Sequence, residues 1–226
     1  MARRTPEQLA ETRQHLIDAA TKLFSEKGIA STQIAEIAAA AGTGISAFYK
    51  QFKDKEELFL IIFERIFNAM HDNILQARRQ MNMHSPLDMV MGVQRTYEIA
   101  FDTFYQHREI SLSIFRSSFS ASGMLDEHFW QLCNQVADEM SKDLERGNKA
   151  GLIAISNPRD FADASFGMIR QLAHRMLLED SPSPHEAAKM CTKFTLGGLI
   201  LSMPPAVLTR VLPMLAAPQT PTSTTL

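Results

Sequence analysis

The sequence predicts an all-α chain of about nine helices, and three observations point there. Apolar residues recur at spacings of three and four along most of the chain. No stretch shows sustained apolar–polar alternation with turn pairs such as Asn-Gly. Capping residues precede proline at the first helical position in Thr5-Pro6, Ser85-Pro86, Asn157-Pro158 and Ser183-Pro184.

Thr5-Pro6-Glu7-Gln8 supplies a cap, an N1 proline and a capping-box partner, opening a helix that turns Leu9, Leu16, Ala20, Leu23 and Phe24 inward. Gly28 is suited to end it in a left-handed conformation. A short helix after Thr32 faces Ile34, Ile37, Ala38 and Ala41 to the core and ends at Gly42. Another short helix carries Ala47-Phe48-Tyr49 and ends near Phe52. Asp54, with Glu57 three residues on, caps a helix from about Lys55 to Gln80, roughly 40 Å long. Later helices start at Pro86, near Leu125, at Pro158 and at Pro184, with a separate one over residues 109–119. The expected organisation is a head over residues 1–55, a body over 56–216 and a disordered Pro/Thr/Ser-rich tail over 217–226.

A chain of 226 residues is long enough for a sizeable core, and 45% hydrophobic with 21% charged residues excludes wholesale disorder. Two cysteines, Cys133 and Cys191, exclude a disulfide scaffold. The polar start predicts no signal peptide, and the apolar tract from Phe194 to Leu208 is broken by Pro204-Pro205. The expected location is therefore cytoplasmic, with no membrane partner. The net charge of −2 conceals an asymmetry: residues 1–55 carry eight bases and six acids, leaving a body of net −4. A basic head hints weakly at an anionic partner.

Residues 32–52 hold two short helices around a glycine-containing turn, the pattern of a helix-turn-helix. To enter a groove about 12 Å wide, the second helix needs an unpacked outer face. With Phe48 and Phe52 inward, Thr43, Gly44, Ile45, Ser46, Ala47, Tyr49 and Lys50 remain around the rest. Spacing alone leaves an ordinary helical hairpin open.

Gly28-Ile29-Ala30-Ser31-Thr32, Ile37-Ala38, Ala41-Gly42, Phe48-Tyr49-Lys50-Gln51-Phe52 and Lys55-Glu56-Glu57-Leu58 resemble the N-terminal signature of the TetR family. These are helical, dimeric bacterial transcription regulators, usually repressors released from DNA by a small ligand. A second likeness lies in Arg146-Gly147 and Gly151 before Asn157-Pro158. The resemblance implies that Thr32 caps the first helix of the motif and touches phosphate. It gives Tyr49 and Lys55 phosphate contacts, and sets Thr43, Gly44, Ile45, Ser46 and Ala47 facing the bases. Gln33, Gln51 and Ser46 depart from the residues common in the family. Bidentate readout is then scarce, and thymine-methyl contacts, Ser46, Gln51 and DNA shape would carry specificity. The Arg3-Arg4 arm is expected to be solvated, with a minor-groove contact as the alternative.

The body holds most of the 13 methionines and many of the 14 phenylalanines. Met/Phe-rich helices suit either a plain core or an apolar ligand cavity. The candidate lining is Met89, Tyr97, Phe101, Phe104, Tyr105, Phe115, Arg116, Phe119, Phe129, Met140 and His174, for a hydrophobic effector. Small residues in the last two helices (Ala162, Ser165 and Gly167; Thr195, Gly197 and Gly198) suggest close approach across a twofold axis. The candidate dimer interface is Phe161, Ala162, Ser165, Phe166, Ile169, Thr195, Gly198 and Leu199. A dimer would set two reading helices about 34–36 Å apart on a pseudo-palindromic operator in double-stranded DNA. No phosphate loop, nucleophile elbow or metal-ligand spacing is present, so neither catalysis, a cofactor nor a metal is expected. The rivals are an effector-independent architectural DNA-binding protein and, further off, a helical enzyme using the Met/Phe cavity.

Overall fold

Thr5 begins the first helix as expected. Its hydroxyl accepts the Gln8 N–H at 3.3 Å, and Gln8 Oε1 accepts the Thr5 N–H at 3.0 Å. A computed structural model of the chain describes residues 5–80, 86–117 and 124–216. The Arg3-Arg4 arm and the tail over 217–226 lie outside these residues. Among the described residues there are ten helices and no strand.

The head comprises α1 (Pro6–Lys27), α2 (Ile34–Ala40) and α3 (Ile45–Tyr49). Then come the long α4 (Lys55–Arg79), α5 (Pro86–Gln106), α6 (Arg108–Ser117) and α7 (Met124–Lys149). The chain closes with α8 (Pro158–Glu179), α9 (Pro184–Leu201) and α10 (Pro205–Ala216). The tenth helix adds one to the expected count of about nine. Pro204 and Pro205 end one helix, and Pro205 then takes the N1 position of another, where its missing N–H costs nothing.

Caps account for the other boundaries. Asp54 Oδ1 accepts the Glu57 N–H at 2.8 Å, while Glu57 Oε2 accepts the Lys53 N–H at 2.6 Å. Ser183 and Glu186 close a capping box on α9, and Asn157 Oδ1 accepts the Arg159 N–H at 3.2 Å on α8. Gly28 ends α1 at φ +74°, and its N–H donates to Phe24 O at 2.9 Å.

The core is continuous through head and body. Leu16, Ala20, Phe24, Ile37, Phe48, Leu58 and Phe59 fill the head, and Phe24 meets Phe59 edge-on at 5.7 Å. The same cluster continues through Phe63, Phe67, Phe101, Ile110, Phe115 and Met176 to Cys191. The first turns of α4 thus complete the head, and its later turns face the body. Leu9, expected inside, is 38% exposed at the open end of α1. Among the described residues no helix is long and apolar enough to cross a membrane.

Candidate nucleic-acid interface

The turn between α2 and α3 is made by backbone hydrogen bonds: Ala41 N–H to Ile37 O at 3.0 Å and Thr43 N–H to Ala38 O at 2.9 Å. Gly42 sits at φ +66°, a conformation that side chains with a Cβ rarely take. Two rings seat α3. Phe48 and Phe52 are buried, with their centroids 5.5 Å apart. Ile45 stays 49% exposed and Tyr49 57% exposed, with Gly44, Ser46 and Lys50 also outward and Thr43 and Ala47 half-buried. The face expected to read bases is therefore open.

The capping role of Thr32 needs correction. Thr32 is buried, and its Oγ1 donates to Gly28 O at 2.8 Å instead of capping α2. Gln33 takes the N-cap position, and its N–H donates to Glu36 Oε2 at 2.8 Å. The resemblance gave the cap to Thr32, and in the structure the residue after it holds that position.

Gln51 is turned away from the reading face, for its Nε2 donates to Leu9 O on α1 at 3.3 Å. Lys55, expected on phosphate, directs Nζ in the free chain to carbonyl oxygens of the α1–α2 turn: Ile29 at 2.9 Å, Thr32 at 3.1 Å and Ala30 at 3.4 Å. Sequence spacing does not reveal such contacts, because each crosses between elements far apart in the chain.

Lys27 Nζ and Glu36 Oε1 form an ion pair at 2.7 Å. The Lys27 ammonium, with the Gln33 N–H behind it, holds the Glu36 carboxyl below its ordinary value. The Arg13 guanidinium lies 4.4 Å from the Phe52 ring centroid, an α1 contact that sequence reasoning missed. Lys50 and Lys53 remain exposed.

In the body, Tyr97, Phe101 and Phe115 are buried, and Phe104 meets Phe115 edge-on at 5.5 Å. The Tyr97 hydroxyl shares a 2.6 Å hydrogen bond with Thr195 Oγ1, and burial pushes its phenol up to about 12. Tyr105 is 45% exposed, while Met140 and His174 are half-buried. Met89, Arg116, Phe119 and Phe129 fall outside the described side chains. The structure has an open depression of about 480 Å³ on α7, lined by Gln131, Asn134, Gln135, Asp138, Glu139 and Lys142. None of these belongs to the expected lining. Burial pushes the Cys133 and Cys191 thiols up to about 12, which disfavours reactive thiolates.

The candidate dimer face also divides. Ala162, Ser165 and Thr195 are buried inside the chain, so they are not available to a partner. A Cβ at Gly198 would lie 2.8 Å from the Phe161 ring, so this glycine serves the packing of α9 on α8. Phe161, Phe166, Ile169 and Leu199 are half-buried. The outward positions are Gly167, Leu178, Met190, Phe194 and Leu201, with Phe194 66% and Leu201 88% exposed. At 100° per residue, Met190, Phe194 and Leu201 fall within one narrow stripe of α9, and that periodicity is the signal that could have found them.

Residues 16–62 match the profile of bacterial regulatory proteins of the tetR family. The chain is 52% identical over 64 residues to the HTH-type transcriptional regulator AcrR of Shigella flexneri. That alignment covers 28% of this chain and 30% of AcrR, so the likeness spans under a third of that relative. The fold is similar to SmeT, the repressor of the Stenotrophomonas maltophilia multidrug efflux pump SmeDEF. There the TM-score is 0.64 at 21% identity, covering 83% of this chain and 91% of SmeT. It is similar also to Thermus thermophilus FadR in complex with lauroyl-CoA, with a TM-score of 0.65 at 16% identity over 92% of this chain and all of that one. The likeness to bacterial regulatory proteins of the tetR family thus lies in the head, over residues 16–62, while the likeness over most of the chain is one of fold.

Proposed function

We propose that the chain is a DNA-binding transcriptional regulator, in which residues 1–55 dock on an operator and residues 56–216 dimerise and take a small effector. The observation that carries this reading is the open outer face of α3 above a closed aromatic floor. Ile45, Ser46, Tyr49 and Lys50 project from it, while Phe48 and Phe52 fix its seat. Ile45 offers an apolar contact to a thymine methyl, and Tyr49 and Lys50 offer donors to phosphate.

A homodimer through the exposed faces of α8 and α9 supplies the second reading head. Phe194 and Leu201 at this exposure are apolar surface that a second copy would bury. With twofold symmetry the two α3 helices meet successive turns of one DNA face, on a pseudo-palindrome. Most such regulators repress, and we take repression with release by an apolar effector as the working mechanism in the cytoplasm. Proteins of the same fold have been solved with triclosan, for SmeT, and with lauroyl-CoA, for FadR. Release requires the effector to bind the DNA-incompetent state more tightly.

The close packing of Phe101, Phe104 and Phe115 favours a second reading, in which DNA affinity is independent of effector. A helical enzyme is a weaker reading still. Among the described residues no His, Cys, Asp or Glu cluster is placed to hold a metal.

The test is a titration of a bound DNA duplex with wild-type and Tyr49→Phe protein. Loss of one charge-assisted hydrogen bond weakens binding roughly tenfold and leaves thermal unfolding unchanged. Equal affinity of the two proteins would remove Tyr49 from the interface.

A further inference from the structure

Lys55 is the first residue of α4, at the positive end of a helix dipole, where a cation is disfavoured. Asp54, Glu56 and Glu57 around it are the residue types that this end favours. The lysine side chain leaves its own helix for the turn between α1 and α2, just past the negative end of α1. There Nζ meets the carbonyl oxygens of Ile29 at 2.9 Å, Thr32 at 3.1 Å and Ala30 at 3.4 Å. An ammonium has three donors and no acceptor, so three carbonyls occupy its whole capacity. The turn is also closed from within. Thr32 Oγ1 donates to Gly28 O at 2.8 Å, and the Thr32 N–H to Ile29 O at 3.3 Å.

We infer that Lys55 is a positioning residue, whose ammonium clasps the α1–α2 turn to the start of α4. The clasp holds α2, and through it α3, in a fixed attitude to the long helix. With its donors committed to the turn, Lys55 lends charge to the DNA face without a hydrogen bond to phosphate. Arginine would not substitute freely, because a guanidinium spreads its donors over a planar fork and does not converge them on one cluster of carbonyls. The consequence for DNA rests on the proposed function, whereas the clasp is a property of the free protein.

Two measurements test it. In the free wild-type chain, nitrogen-detected NMR follows proton exchange of the lysine ammonium groups. Lys55 is expected to exchange at least about tenfold more slowly than exposed Lys50 and Lys53. Exchange at the rate of those two would overturn the clasp.

In Lys55→Met, amide exchange at Thr32, Glu36 and Ile37 is expected to rise about tenfold while that of buried α4 amides stays put. Affinity for a DNA duplex bound by the wild type should fall about tenfold, at a temperature where circular dichroism shows the variant folded. Lys55→Arg restores the charge and should recover less than half of that loss. Full recovery by arginine with the turn still loose, or unchanged protection in Lys55→Met, would leave Lys55 a simple phosphate ligand. If Lys55→Met does not fold, the wild-type ammonium measurement still decides. If the wild type enriches no DNA, the DNA-binding reading fails while the ammonium result still judges the clasp.

Discussion

Head and body share capped helix ends but differ in the polar contacts between their elements. In the head, the long α1 and the short α2 and α3 are joined by polar contacts at helix ends and turns. The Thr5–Gln8 and Gln33–Glu36 pairings, the Lys27–Glu36 ion pair and the Lys55 contacts all lie at helix termini or turns. The rings of Phe24, Phe48 and Phe59 need only fill the middle. In the body, long helices pack side to side, and polar contacts such as Tyr97–Thr195 and the His71–Glu139 pair lie along their flanks. The lesson concerns rigidity. A head closed at its ends can be carried as one piece by α4, whereas flank packing can slide.

The largest test of the comparison sets Phe48→Ala against Phe101→Ala. Both rings are fully buried, so each truncation should cost about 3–5 kcal/mol in denaturant unfolding. If Phe101→Ala cost below about 1.5 kcal/mol, Phe101 would border a cavity already present, and the body would be looser than its packing suggests. Next in size is the pair Phe194→Asp with Leu201→Asp. Two carboxylates on the exposed stripe of α9 should yield a monomer by analytical ultracentrifugation and weaken operator binding about 100-fold or more. A variant that stayed dimeric would move the interface elsewhere.

Gly198→Ala sharpens the contrast within that helix. Its Cβ would lie 2.8 Å from Phe161, so a destabilisation of about 1–3 kcal/mol is expected by thermal unfolding. Gly197, with nothing within 4 Å of the same position, should accept alanine without loss of fold stability.

Tyr97 gives the smallest effect. Tyr97→Phe leaves Thr195 without that bond and should cost about 1–2 kcal/mol at neutral pH. Because the folded phenol is raised from 10 to about 12, its neutral form is the one favoured by folding. Its stabilising contribution is then complete below about pH 10 and lost as pH rises towards 12. A wild-type stability curve flat from pH 9 to 12, with Tyr97→Phe parallel to it, would contradict that sign.

What the chain displayed as sequence were its local signals. Caps and N1 prolines placed the helix starts, and Phe48 with Phe52 predicted the seat of α3. These depend on residues three or four apart, which spacing can read. The inward turn of Thr32, the Gln51 bond to Leu9 and the reach of Lys55 to residue 29 depend on which helix end meets which turn. Periodicity carries no such information. The candidate dimer face is divided for a related reason. Small residues announced close packing on α8 and α9, but Ala162, Ser165, Thr195 and Gly198 serve the packing inside the chain. Only Gly167 and Gly197 of that group lie over open space.

The most direct test of the account is selection of binding sites from random double-stranded DNA by the purified full chain. The account predicts enrichment of a pseudo-palindrome with half-sites about 10 base pairs apart, centre to centre, or slightly more. Enrichment of a single asymmetric half-site, or of no sequence at all, would contradict a dimer that reads DNA through two open α3 faces.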